Sequence, residues 1–98
     1  MFSLEPYREA MTNLCRQLRV ESLDVVGSAA RDDFGPSSDV DVLVTFVGPE
    51  QLFDRYFTLK EGLEALFQRS VDVIMDEAVT NPIVRQSLDR DRRGVYAA

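Results

Sequence analysis

The spacing of apolar residues predicts three helices. Residues 5–19 carry one apolar stripe at intervals of three or four positions, formed by Tyr7, Met11, Leu14 and Leu18. Residues 50–68 carry a second such stripe, formed by Leu52, Tyr56, Leu59, Leu63 and Leu66. A third helix is expected to begin after Asn81, a capping residue that is followed by Pro82. It should run to about Arg93, where Gly94 can end it.

Alternation between apolar and other residues predicts the strands. The clearest case is residues 39–47, in which one face is formed by Val40, Val42, Val44 and Phe46. Shorter β-branched runs at 23–26 and 71–75 predict two more strands, and Val95-Tyr96 can add a short edge strand. Between the first two strands, the sequence predicts one or two helical turns over 29–33 and a loop over 35–38.

The order of these elements is helix, strand, turn, strand, helix, strand, helix. The long helix between the second and third strands requires a crossover connection, so those strands should be parallel if they are neighbours. The short link before the second strand permits antiparallel pairing. We therefore expect an α/β (α+β) fold, in which a small mixed sheet of three to four strands carries helices on one face. We expect one domain over residues 1–98.

The composition excludes several kinds of catalytic site and partner. The chain has 98 residues, no histidine, one cysteine and a net charge of −6. Without histidine there can be no Ser-His-Asp triad and no His-ligated zinc, and the acidic charge argues against nucleic acid as a partner. Cys15 cannot form an internal disulfide, and we expect it to be a small buried side chain in a reducing compartment. No apolar run is long enough for a signal peptide or a membrane span, so a cytoplasmic protein is expected.

Two carboxylates on the second strand are the first candidate site. Asp39 and Asp41 project from the same side, with their Cα atoms roughly 6.6–7 Å apart, and they repel each other unless a positive charge lies between them. Oxygen ligands suit Mg²⁺ or Mn²⁺, and Asp72 on the third strand is the candidate third ligand. The alternative is that these aspartates simply face water. Against it, the same face continues with Leu43, Thr45 and Val47 and is mainly apolar further along.

Gly27 and Ser28 form a turn directly after the first strand. Glycine lets the backbone approach a ligand closely, and a serine hydroxyl with free N–H groups at a helix start can hold phosphate. Taken alone, a Gly-Ser pair is also a common turn. Arg31 has two interpretations: it steadies the phosphates of a substrate, or it forms a local ion pair with Asp32 or Asp33, which the residues alone favour.

The combined pattern resembles the minimal nucleotidyltransferases of the DNA polymerase β superfamily. Gly-Ser is followed by ten residues, Asp-x-Asp and a further aspartate on a later strand, at Gly27, Ser28, Asp39, Asp41 and Asp72. The resemblance covers nearly the whole chain. Many relatives have Gly-Ser-Arg-Ala-Arg-Gly at the turn, whereas this chain has Ala29 in place of the first arginine and Asp32 in place of the final glycine.

This resemblance implies a nucleotidyltransferase fold and a role for each motif residue. Asp39 and Asp41 would hold two Mg²⁺ ions, with Mn²⁺ as an alternative. Asp72 would ligate one of the ions and help to deprotonate the acceptor hydroxyl. Gly27 and Ser28 would hold the triphosphate of ATP, the substrate.

Members of this size resemble the antitoxins that are paired with helical HEPN ribonuclease toxins. Some of these antitoxins transfer AMP from ATP to a tyrosine of the toxin and so silence it, which is the function that the resemblance implies. Two alternatives remain open: an antitoxin that neutralises its partner by binding alone, and a nucleotidyltransferase that acts on a small molecule or an RNA end. The sequence carries no signature of oligomeric state, and a homodimer remains open.

Two surface features lie outside this motif. Phe53 and Phe57 fall on the polar flank of the second helix, where they either form a protein interface or pack under a loop or a neighbouring helix. The last helix interleaves arginines with aspartates, namely Arg85, Arg90, Arg92 and Arg93 with Asp89 and Asp91. This alternation favours a solvated face over an RNA-binding patch.

Overall fold

The computed structural model describes residues 3–30 and 39–98. The helices are α1 (Arg8–Gln17), α2 (Leu52–Phe67) and α3 (Pro82–Asp91), and the strands are β1 (Val20–Val26), β2 (Val40–Phe46), β3 (Val71–Met75) and β4 (Arg93–Ala97). Short 3-10 turns lie at Glu5–Tyr7, Gly27–Ala30 and Asp76–Ala78. The predicted helical turn beyond residue 30 and the predicted loop over 35–38 lie outside the described residues. Within the described ranges, no helix is both long and apolar enough to cross a membrane.

The strands form one mixed sheet in the order β3-β2-β1-β4. β1 pairs antiparallel with both β2 and β4, and β2 pairs parallel with β3. The predicted directions are therefore confirmed, because α2 supplies the crossover connection that parallel neighbours need. The optional edge strand around Val95 is also confirmed, and it is longer than the two residues predicted.

One face of the sheet is covered by α1 and α2. Their most deeply buried side chains are Met11, Cys15, Leu59 and Leu63, which pack against the inward residues of β1 and β2. Periodicity thus identified the buried faces of α1 and α2, and Cys15 lies at the centre of the buried face of α1. Burial raises the pKa of the Cys15 thiol to about 12, so this side chain is a small neutral core residue at pH 7, as expected.

The expectation that helices occupy one face holds only for α1 and α2. Asp24 alternates with the core residues of β1 and therefore points to the opposite face. Arg92, the residue after α3, donates to Asp24 Oδ2 over 2.8 Å and to Asp76 Oδ2 over 3.4 Å. Arg85 of α3 also donates to Asp76. α3 is therefore held to the second face by ion pairs, and none of its residues is buried.

Two predicted element ends are wrong. Gly94 does not end α3, because Arg92 already has an extended backbone and Gly94 lies inside β4, paired with Asp24. Strand pairing overrides the glycine stop signal there. β1 begins at Val20, earlier than predicted. A register shift between Val20 and Ser22 breaks the alternation of apolar residues there, so the sequence pattern did not reveal the first residues of the strand.

Candidate active site

Three strands bring the predicted motif into one row at the start of β2. Asp41 lies opposite Val26, the last residue of β1, and opposite Asp72 of β3. Neighbouring strands are about 4.7–4.9 Å apart and register partners point to the same face, so the side chains of Asp41 and Asp72 are neighbours. Asp41 is half-buried and Asp72 is exposed. The parallel pairing expected from the sequence thus brings Asp72 level with Asp41.

Gly27 closes one side of this row. Its backbone is in the left-handed region, with φ at 68°. A Cβ atom at this position would lie 2.5 Å from Asp41 Oδ2. Glycine is therefore required twice, for its backbone conformation and for the close approach of the turn to the carboxylate.

Asp39 lies immediately before β2 and is exposed. Across residues 3–30 and 39–98, no three acidic or cysteine side chains lie close enough together to hold a metal ion. The structure therefore pairs Asp41 with Asp72 but does not assemble all three predicted ligands around one point. The carboxylate oxygens of the pair are the donor type that Mg²⁺ and Mn²⁺ prefer, so these residues fit a hard divalent ion by their chemistry.

The other predicted nucleotide-binding residues lie on or just beyond the glycine turn. Ser28 is the second residue of the turn Gly27–Ala30. Arg31 lies outside the described residues, so neither interpretation of its role is tested. Ala29 is 2% exposed and belongs to the core. The position at which many relatives have an arginine is therefore occupied by a buried alanine here.

Three side chains of α2 fix the segment of β3 that carries Asp72. Glu64 Oε2 accepts from the Val71 N–H over 2.9 Å. Lys60 Nζ donates to the Val71 carbonyl over 2.6 Å and to Glu64 over 3.0 Å, and the Tyr56 hydroxyl donates to the Val73 carbonyl over 2.9 Å. We call these three residues the β3 clamp. They form hydrogen bonds with backbone groups of Val71 and Val73, on both sides of Asp72, that point away from β2.

The β3 clamp also gives Asp72 a nearby positive charge. The hydrogen bond with Glu64 raises the pKa of Lys60, and the negative charge of Asp72 acts in the same direction. The hydrogen bond from the Val71 N–H lowers the pKa of Glu64. The sequence does not reveal the clamp, because Lys60 and Glu64 have the spacing of an ordinary ion pair one helical turn apart.

A second charged network lies on the same face as Asp41. Asp76 follows β3 and accepts hydrogen bonds from Arg85 and Arg92, while Arg92 also binds Asp24 and Asp89. Burial alone would raise the pKa of Asp76, but the two arginines outweigh it and hold that pKa below its usual range. The solvated face predicted for the last helix is therefore wrong for Arg85 and Arg92, which form ion pairs with Asp76 and Asp24 instead. These pairs bridge β1 to the segment after β3.

A mixed sheet with a glycine turn closing on a row of aspartates defines the fold of a minimal nucleotidyltransferase. The chain belongs to the nucleotidyltransferase domain family, whose model matches residues 8–94. The family resemblance stated from the motif is thereby confirmed.

Individual relatives agree with this assignment. The protein adenylyltransferase MntA of Thermococcus cleftensis is 33% identical over 92 residues, which cover 90% of this chain and 92% of that protein. A solved structure assigned as a minimal nucleotidyltransferase has a TM-score of 0.77 at 30% identity, covering 92% of this chain and 90% of that chain. The fold is also similar to a chain in the structure of a tri-AMPylated HEPN toxin from Shewanella oneidensis in complex with an MNT antitoxin. There the TM-score is 0.68 at 12% identity, with 98% of this chain and 74% of that chain covered.

Proposed function

We propose that this protein is an antitoxin that transfers AMP from ATP to a tyrosine hydroxyl of a HEPN-type toxin and thereby neutralises it. The observation that carries the proposal is the row in which Asp41 faces Asp72 beneath the turn at Gly27. The adenylyltransferase relative supports the transfer of AMP, and the fold shared with a toxin–antitoxin complex agrees with a toxin as the acceptor.

Each motif residue has a role that suits its position. The turn at Gly27 and Ser28 would bind the phosphates of ATP, since its backbone can approach a ligand that a side chain would exclude. The carboxylate oxygens of Asp41 and Asp72 would bind Mg²⁺ or Mn²⁺, and Asp39, just before β2, would be the third ligand once the ion is bound. When bound, such ions supply neutralisation of charge at the transferred phosphoryl group and orientation of the attacking and leaving oxygens.

Asp72 is the residue best placed to accept the proton of the incoming hydroxyl. It is exposed at its strand, so a side chain of another protein can reach it. A tyrosine hydroxyl has an ordinary pKa of about 10 and needs a base or a neighbouring cation to react at pH 7. The tyrosine oxygen then forms a bond to the α-phosphorus of ATP, the bond from that phosphorus to the bridging oxygen breaks, and pyrophosphate leaves.

Intact-mass spectrometry of the toxin tests the proposal directly. The protein is mixed with ATP, Mg²⁺ and the purified HEPN-type partner, and the partner is expected to gain the mass of one AMP residue per transfer, located on tyrosine by peptide sequencing. Asp41→Asn should lower the rate at least ~10²-fold, because this chemistry depends on the ligand pair. Glu9→Gln, a change at an exposed carboxylate of α1, should leave the rate unchanged.

The opposite result would favour neutralisation by contact. If the partner gains no mass with any of the four ribonucleoside triphosphates and either metal, yet remains inhibited, the enzymatic proposal fails. If label from ATP appears instead on a small molecule or an RNA end, the acceptor class is wrong.

A further inference from the structure

A set of aromatic residues is exposed at the start of α2. Phe53 is 75% exposed and Phe57 is 40% exposed. The ring centroids of Phe53 and Phe57 are 4.7 Å apart, and those of Phe57 and Tyr56 are 5.2 Å apart. The sequence left open whether this pair packs under a loop, and the structure leaves Phe53 largely uncovered by the described residues.

This aromatic surface adjoins a cleft of about 280 Å³ that is lined mainly by apolar side chains. Leu52, one turn from Tyr56 on the same helix, lines the cleft together with Phe46, Pro49 and Met75. Because residues three and four positions apart on a helix are neighbours, Leu52 lies next to Tyr56, and the Tyr56 ring contacts the exposed Phe57. The surface therefore has projecting aromatic side chains beside a cleft that can hold an apolar side chain of a partner.

The charges around this surface that lack a partner are negative. Asp54 lies three residues before Phe57 and Glu61 lies four residues after it, and Glu77 lines the cleft. None of these three has an ion pair within the part of the chain that the structure describes. The nearby cation Lys60 is already bound to Glu64. The rim of the surface is therefore acidic.

The cleft lies at the opposite end of β2 from the candidate active site. Asp41 lies near the start of β2 and Phe46 is its last residue, and the five intervening steps span ~16 Å of strand. The aromatic residues lie between the two, since the Tyr56 ring contacts Phe57 and its hydroxyl binds the Val73 carbonyl next to Asp72.

We propose that Phe53, Phe57 and the adjoining cleft form a docking surface for a protein segment with apolar anchors flanked by lysine or arginine. Buried aromatic residues in a pocketed surface are the usual energetic centre of protein interfaces, and the acidic rim complements a basic partner. A second copy of this chain would bring two acidic rims together, and nucleic acid would meet the same repulsion. The proposal requires neither AMP transfer nor a HEPN-type partner.

Photo-crosslinking in host cells tests where this surface binds. A benzophenone amino acid is placed at position 53 in the full chain and, as a control, at Ala65, an exposed position on the same helix about 18 Å along its axis. We expect position 53 alone to crosslink one protein, through a segment that mass spectrometry identifies as apolar and net basic. Crosslinks to a second copy, to an acidic segment, or equally from both positions would overturn the proposal.

Binding to the purified crosslinked protein is then measured by calorimetry with paired variants. Phe53→Ser/Phe57→Ser is expected to weaken binding at least about 30-fold, as for loss of an interface hot spot. Asp54→Lys/Glu61→Lys, which retains both phenylalanines, is expected to weaken binding about 10-fold at low salt. Glu9→Lys, a charge reversal on α1, should have no effect. Unchanged affinity in both surface variants would refute the surface, and the charge variant keeps the test valid if the serine variant misfolds.

Discussion

Arg55 is a buried cation whose guanidinium group donates hydrogen bonds to backbone carbonyls. Its side chain donates to the carbonyls of Leu18, Arg19, Val47, Gly48 and Glu50, at 2.8–3.2 Å, and its guanidinium lies 4.8 Å from the centre of the Phe46 ring. Two of the residues around it, Arg19 and Gln51, have left-handed backbones. One side chain thus joins the end of α1 to the loop between β2 and α2.

Arg55→Lys should therefore destabilise the fold. An ammonium group has three donors and cannot reproduce the planar geometry of guanidinium, so at least two of the five hydrogen bonds to carbonyls are lost. We expect a decrease of about 2–4 kcal/mol in the free energy of unfolding, measured by urea denaturation. Arg8→Lys, at a residue whose ion pair with Glu5 is exposed, is the matched control. Equal midpoints for the two variants would show that the carbonyl bonds contribute little.

Gly27 offers a comparison with a second glycine. Gly27 and Gly48 have φ values of 68° and 71°, and a Cβ atom at each would lie 2.5 Å from a carboxylate oxygen, of Asp41 and Glu50 respectively. Alanine at either position is therefore expected to cost about 1–2 kcal/mol of stability through backbone strain. Only Gly27→Ala should also weaken ATP binding, since only Gly27 contacts the proposed site. Calorimetric titration with ATP and Mg²⁺ measures this difference, and equal affinities would argue against a ligand at the turn.

At the scale of elements, the β3 clamp protects a sheet edge. β3 is an outer strand, and outward backbone groups of an outer strand can pair with another chain unless they are covered. Glu64 and Lys60 cover the N–H and carbonyl of Val71, and Tyr56 covers the carbonyl of Val73. The same bonds hold the backbone on either side of Asp72.

The clamp predicts how stability depends on pH. The pKa of Glu64 is lower in the folded protein than its ordinary value of 4.5. Its contribution to stability is therefore complete above pH 4.5 and is lost as the pH falls through the folded pKa. Urea denaturation between pH 7 and pH 3 should show this loss, and Glu64→Gln should reduce the slope. Glu61→Gln, at an exposed neighbour on α2, should keep it. Identical slopes in both variants and the wild type would contradict the prediction.

At the scale of the whole molecule, Arg92 joins parts of the chain that are far apart in sequence. It binds Asp24 of β1, 68 residues away, as well as Asp76 and Asp89. The bridge passes over the face of the sheet that α1 and α2 leave uncovered. It therefore ties the position of α3 and β4 to that of β1.

Arg92→Met should loosen the C-terminal elements. It leaves the half-buried carboxylate of Asp24 without this partner, and we expect about 1–3 kcal/mol of destabilisation. Relative to the wild type, hydrogen exchange should become faster at the amides of β4, which is an outer strand, and should change less at the amides of β2, which lies inside the sheet. Arg90→Met, at an arginine that is 76% exposed, is the control. Uniform protection of β4 in the Arg92 variant would show that strand pairing alone holds it.

The local pattern of the sequence was enough to predict β2, α2 and β3 and the directions in which the strands pair. Alternation and helical periodicity depend on which face of each element is apolar, and connection length restricts strand direction. Asn81 was also recognised, and its side chain accepts from the N–H groups of Ile83 and Val84. The alignment of Asp72 with Asp41 followed from parallel pairing, so the centre of the candidate site was predictable.

Tertiary structure alone decided the features that depend on distant partners. The carbonyls around Arg55 come from segments up to 37 residues away, and Arg92 meets Asp24 only because β1 and β4 are neighbours. Pairing with β1 also placed Gly94 in a strand, against its local signal. Phe53 and Phe57 are apolar in any sequence-based analysis, and only the packed molecule shows that they are exposed. Local pattern specifies which face a residue prefers, whereas the complete fold determines what lies opposite that face.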